Sequence, residues 1–131
     1  MSSKNTMIIA VYGTLMKGYH NHILIDGVGK FMGKAKGEFY ATMFSAGGFP
    51  ILSFNEPDAQ PLVELYEMPL GNAMDRVDRL EGYPDWYNRT ERTFITEDGE
   101  KVRAYIYHQN TNGGNMPVVP DCDWRKYRGA A

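Results

Sequence analysis

The stretch PLVELYEMPLGNAMDRVDRLEGYP, residues 61–84, changes its period midway. Its first part alternates, with Leu62, Val63, Leu65, Tyr66 and Met68 interleaved with Glu64 and Glu67. A period near two marks a strand. From Asn72 the period becomes 3.6, and Ala73, Met74, Val77 and Leu80 form an apolar stripe. The spacing predicts a helix from Asn72 to Glu81. Asn72 is placed to cap its start, with Asp75 three residues on as a variant capping box. Gly82 stands where a left-handed cap falls, and Pro84 keeps the helix from resuming.

Short strands flank this helix on both sides. Met7 to Tyr12 is a nearly unbroken apolar run rich in β-branched residues, which reads as a buried strand ended by Gly13-Thr14-Leu15. His20 to Asp26 fits one or two helical turns closed by Gly27. Lys30 to Phe44 alternates loosely and is broken by Gly33 and Gly37, the mark of bends or bulges in a barrel. Gly48 to Phe54 is a further short strand. Tyr87 to Thr96 and Val102 to His108 form a strand pair, joined through the hairpin signal Asp98-Gly99. Gln109 to Pro120 is polar and rich in Asn, Gly and Pro, hence a loop, and Asp121 to Trp124 begins a last helical turn. About six strands and one substantial helix, without regular alternation, exclude a doubly wound parallel sheet. They predict an α+β fold: a small mixed β-barrel of about six strands with helices packed outside.

With 131 residues the chain forms one domain, 1–131. A chain of this length buries roughly two-thirds of its unfolded surface, so it needs no metal or disulfide to fold. Cys122 is the sole cysteine, which rules out an internal disulfide and a cysteine-based zinc site within one chain. No apolar signal segment opens the sequence, and no apolar run is long enough to span a bilayer. Asn88-Arg89-Thr90 is then a chance match to a glycosylation acceptor. The expected setting is a reducing cytoplasm, away from membranes. Net charge is -2 and the basic residues are scattered in small groups, at Lys30, Lys34 and Lys36 and at Arg125, Lys126 and Arg128. That excludes the positive footprint of a nucleic-acid binder.

Glu81 stands out on the helix. It lies four residues after Val77 and seven after Met74, so it shares the core-facing stripe. A carboxylate aimed at a core is unusual unless it has a partner or a task. The negative end of the helix dipole and partial burial both disfavour its ionised form and make it a better proton acceptor. The alternative is a frayed last turn, with Glu81 turned out into water. Gly82 leaves room for an approach to the carboxylate. Asp75, Arg76, Asp78 and Arg79 read as a solvated charged face. The strand end Tyr12-Gly13-Thr14-Leu15 offers a second element, because successive amides in such a turn can hold an anion such as a carboxylate. Its spacing is not that of a P-loop, and Gly27, Gly29 and Gly33 are off-register for a dinucleotide fingerprint.

Together these elements resemble the γ-glutamylcyclotransferase-like family. The resemblance is carried by Val11-Tyr12-Gly13-Thr14-Leu15, Leu80-Glu81-Gly82-Tyr83-Pro84, Tyr87-Asn88-Arg89, Val102 to Tyr107 and Asp123 to Tyr127, in the family's order. Length is similar to the compact γ-glutamylamine type. Thr14 stands where serine is common, which leaves a backbone role intact. The resemblance implies a β-barrel with flanking helices and a pocket between the turn and Glu81. It implies that a substrate α-amine attacks its own γ-carbonyl, giving 5-oxoproline and a free amine or amino acid, without a cofactor. Glu81 is then the general acid/base. The amides of Gly13, Thr14 and Leu15 hold the α-carboxylate, and Tyr12 and Tyr87 line the pocket and hydrogen-bond to the substrate. A small γ-glutamyl molecule is the implied partner, and the chain a monomer or weak dimer.

Other readings compete with this one. A non-catalytic small-molecule or protein-binding module on the same fold would use Glu81 to bind a ligand amine. A metal-dependent hydrolase is disfavoured, since His20 and His22 are two apart and His108 is distant. Cys122 sits between Asp121 and Asp123, whose charges keep it a poor thiolate. Tyr83, Trp86 and Tyr87 suit core and pocket packing better than base stacking.

Overall fold

The computed structural model describes residues 5–83 and 85–128. Its strands are β1 (Thr6–Val11), β2 (Lys30–Gly37), β3 (Thr42–Ser45), β4 (Pro50–Ser53), β5 (Leu62–Pro69), β6 (Asn88–Thr96) and β7 (Lys101–His108). The α-helices are α1 (Asn72–Glu81) and α2 (Trp124–Tyr127), and short 3-10 turns cover His20–Leu24 and Pro120–Cys122. Five strands close a barrel in the order β1-β5-β2-β6-β7, and β3-β4 form a separate two-stranded sheet. The barrel therefore has five strands, against about six expected. The long run from Lys30 to Phe44 divides, its first half joining the barrel and its second half pairing with β4.

Closure is mixed. β1 runs antiparallel to β5 and parallel to β7, whereas the other barrel pairs are antiparallel. The parallel seam has a functional consequence. It brings the C-terminal ends of β1 and β7, and so Tyr12 and Tyr107, to one end of the barrel. Because β6 is antiparallel to β7, with Asn88 opposite His108, Tyr87 enters at that same end. A register shift between Phe31 and Gly33 bends β2 as the interior glycine predicted.

The core is one cluster that includes Ile9, Val11, Leu65, Met68, Phe94, Ile106 and Trp124. Helix α1 packs on it through buried Met74 and Val77. Leu80, placed by periodicity on the buried stripe, is instead 40% exposed at the end of the helix. The N-cap of α1 is Gly71, with φ 103, and not Asn72, which is its first helical residue. The C-terminus matches expectation. Gly82 is left-handed, its amide donates to the Arg79 carbonyl, and the Tyr83 amide donates to the Asp78 carbonyl. That bond pair is a Schellman motif. Pro84, expected to stop the helix, lies outside the described residues. The segment from Gln109 to Val119 forms no helix or strand, and Pro120 opens the 3-10 turn; an isolated bridge from Val118 to Phe44 pins the segment to β3. The Val119 amide donates to the Met43 carbonyl at 2.7 Å, and the Val119 side chain is fully buried. No helix among the described residues is long and apolar enough to cross a membrane.

Candidate active site

At the end of the barrel where β1 and β7 finish, a cavity of about 390 Å³ opens between the Tyr12–Leu15 turn and the C-terminus of α1. Tyr12, Gly13, Thr14, Leu15, Glu81 and Tyr87 all line it. The two segments singled out in the sequence, 66 residues or more apart along the chain, thus share one wall-to-wall space.

The turn is built by close approach. A Cβ on Gly13 would lie 2.7 Å from the ring of Pro50, so only glycine lets β4 and the turn meet this closely. The Met16 amide closes the turn onto the Gly13 carbonyl at 3.0 Å. Asn21 donates to the Thr14 hydroxyl at 2.9 Å, and the His22 Nδ1–H donates to the Leu15 carbonyl at 2.8 Å. The amides of Gly13, Thr14 and Leu15 have no acceptor among the described residues.

Opposite stands Glu81, the last residue of α1. Its side chain is not turned out into water, because it lines the cavity. No hydrogen bond among the described residues engages its carboxyl. Burial pushes that carboxyl up to about 7, and the negative charge of Asp78 acts in the same direction. Asp78 is not part of a solvated face. It accepts from the Tyr107 hydroxyl and pairs with Arg89 at 3.3 Å, while the Arg89 guanidinium sits 4.5 Å from the centre of the Tyr83 ring. The i, i+3 spacing of Asp78 and Glu81 is a like-charge signal readable in the sequence.

Tyr12 and Tyr87 line the wall as expected, and their hydroxyl protons are also tied to the backbone. The Tyr12 hydroxyl donates to the Tyr107 carbonyl at 2.7 Å, and the Tyr87 hydroxyl donates to the Pro50 carbonyl at 3.1 Å. Burial raises both hydroxyls above the ordinary tyrosine range. Neither has a proton to donate to a ligand without breaking a structural bond. Gly82 does not leave an open approach either, since a Cβ there would fall 2.8 Å from the Cβ of Trp86. Trp86 fills that space and lines the cavity with Phe49, Pro50, Leu80 and Tyr107. Trp86 was expected in core or pocket packing and lines the cavity, whereas Phe49 and Pro50 at this rim, along with His20 and Asn21, were not marked in the sequence. The β3-β4 sheet and the return from α1 to β6 assemble the rim only after closure.

The other candidates lie elsewhere. His108 bonds through its two ring nitrogens to Thr90 and Asn110, and His22 is tied to the backbone. Cys122 is buried, with its thiol pushed up to about 12, first by burial, then by Asp58, with Asp121 a lesser cause. The poor thiolate was foreseen, although burial outweighs the flanking charges as its cause.

A small mixed barrel carrying an uncommitted carboxyl opposite an amide-lined turn defines a compact class of proteins. The chain belongs to the "Gamma-glutamyl cyclotransferase, AIG2-like" family, whose sequence model matches residues 9–126. A protein of Methanocaldococcus jannaschii, given the name γ-glutamylcyclotransferase only provisionally, is 32% identical over 92% of this chain and 98% of its own. The crystal structure of an uncharacterised Pyrococcus horikoshii protein is similar at TM-score 0.72 and 25% identity, covering 95% of this chain and 94% of that one. An AIG2-like protein of Mus musculus matches at TM-score 0.68 and 26% identity, over 86% and 85% of the two chains. The role these likenesses support is that of a γ-glutamyl cyclotransferase-like enzyme.

Proposed function

We propose that the protein converts a γ-glutamyl compound into 5-oxoproline and a free amine or amino acid, with Glu81 as general acid/base. The observation that carries this reading is the uncommitted Glu81 carboxyl, pushed up to about 7, across one cavity from three open amides. The amides of Gly13, Thr14 and Leu15 hold the substrate α-carboxylate. Apolar and aromatic walls fold the short glutamyl chain so that its α-nitrogen faces its own γ-carbonyl carbon. Such positioning accounts for up to roughly 7–11 kcal/mol of a barrier in well-oriented systems.

Ionised Glu81 takes a proton from the α-ammonium. The freed amine forms the ring C–N bond, and the bond from the γ-carbon to the leaving nitrogen breaks. Glu81 then delivers its proton to that nitrogen, and the second proton, which the ring nitrogen sheds as it becomes an amide, passes by the same carboxylate to the departing amine, which leaves as an ammonium ion. No water is consumed, and the protein supplies no nucleophile. A carboxyl whose pKa lies near neutrality suits both transfers.

The test is 5-oxoproline release across a panel of γ-glutamyl amines and amino acids, with wild-type protein and Glu81→Gln. The expected result is turnover that falls at least about a hundredfold in the variant. Equal rates in the two proteins would overturn the mechanism. Binding without turnover in the wild type would make the cavity a receptor for a carboxylate and an amine.

A further inference from the structure

Behind the turn, one residue is held through both of its backbone polar groups. The Lys17 amide donates to Glu64 Oε1 at 2.9 Å, and the Lys17 carbonyl accepts from Arg125 Nη2 at 2.8 Å. The same Arg125 nitrogen lies 2.9 Å from Glu64 Oε2. Two side chains from distant elements, β5 and α2, thus grip the two peptide units that flank the Lys17 Cα, and each other.

The grip is built with some expense of solvation. Glu64 is buried, with a side chain 6% exposed, and Tyr66 donates a further bond to its Oε1 at 2.9 Å. Arg125 is anchored over the Tyr19 ring, 5.1 Å from its centre. A buried ion pair is weak as a source of stability and is better explained by what it positions. What it positions lies two residues from Leu15. Val11, opposite Glu64 in the β1–β5 register, fixes the near end of the segment. Pro50 packs against Gly13, and the Lys17 clamp fixes the far end. The open amides of Gly13, Thr14 and Leu15 lie between these supports.

We infer that Glu64 and Arg125 are positioning residues, which hold the Gly13–Leu15 amides in their ligand-facing geometry by clamping the Lys17 backbone N–H and carbonyl. Neither lines the cavity, and the effect on substrate is transmitted through the backbone. The C-terminal helix therefore takes part in substrate binding from outside the pocket. The kinetic part of this inference rests on the cyclotransferase reading, whereas the structural part does not.

The experiment uses the full chain and the double variant Glu64→Gln/Arg125→Met, which removes both charges at once and leaves no orphaned buried ion. Hydrogen exchange of the Met16, Lys17 and Tyr19 amides should quicken by about tenfold or more, as loss of charge-assisted bonds implies, with the Leu65 and Ile106 amides unchanged. Where wild-type protein turns over a γ-glutamyl substrate, KM should rise about tenfold with kcat nearly unchanged. A general loss of folded enzyme would instead lower kcat at constant KM. Unchanged exchange at Lys17 overturns the clamp whether or not any substrate is found. Quickened exchange with an unaltered KM overturns its link to binding. A wild type without turnover refutes the cyclotransferase reading and leaves exchange as the measure of the clamp.

Discussion

The Glu81 carboxyl is the group whose proton matters at neutral pH. Its pKa stands at about 7, raised from 4.5 by burial first and by Asp78 second. As a base it works only when ionised. On the proposed mechanism kcat/KM therefore falls about tenfold per pH unit below that value. Asp78→Asn tests the second cause. It removes a negative charge beside Glu81 and also leaves Arg89 unneutralised, and both changes favour the ionised carboxylate. The acid limb of the pH profile should shift to lower pH without reaching the ordinary carboxylate range, because the larger cause, burial, remains. An unmoved limb, or an upward shift, would show that Asp78 does not tune Glu81.

At the scale of the element, the end of α1 does two things with one residue. Gly82 takes φ 70 so that the Schellman bonds form, and it lacks the Cβ that would strike Trp86 at 2.8 Å. Gly82→Ala should cost about 1–3 kcal/mol in urea unfolding, from left-handed strain plus the contact. It should also displace Trp86 from the cavity wall, seen as a change in tryptophan fluorescence. A loss below about 0.5 kcal/mol, the usual range of neutral surface changes, would contradict the packing. These local features were readable beforehand because their causes are local. The helix period, the left-handed glycine and the Asp98-Gly99 turn each depend on neighbouring residues. The split between β2 and β3 was not readable. It depends on which strand each half of Lys30 to Phe44 meets, and that is settled by closure. Glu81 and the Tyr12–Leu15 turn were visible as motifs. Trp86 was legible as core or pocket packing, but Phe49 and Pro50 reach the site only through the β3-β4 sheet, so no spacing along the chain marks them. Asp78 had its signal in the i, i+3 relation to Glu81, but Arg89 and Tyr107, which keep it from solvent, approach from other strands.

Across the whole molecule, the parallel β1–β7 seam joins residues as far apart as Tyr12 and Tyr107, and the site exists only when the barrel is closed. Folding must therefore carry the cost of placing Glu81 in that site. The folded carboxyl, at about 7, holds its proton more tightly than an unfolded one at 4.5. Below roughly pH 4 both states are protonated and Glu81 exacts nothing. As pH rises from about 4.5 to 7, the unfolded chain ionises while the folded one keeps its proton, so stability declines. Above about 7 both are ionised and the penalty is constant. Glutamine has nearly the same shape and does not titrate. Glu81→Gln should accordingly be more stable than wild type at pH 8, by an amount on the order of 1–3 kcal/mol, reduced toward the lower end because the residue is partly exposed. The two proteins should converge near pH 4. Urea unfolding at intervals from pH 4 to 8 measures the gap. A gap that stays constant with pH, or a wild type more stable at pH 8, would mean that the carboxyl is solvated in the folded protein. The basis for its role as a proton carrier would then be gone, whatever the turnover assay reported. A gap that opens between pH 4.5 and 7 would show that the same burial which destabilises the fold prepares the base.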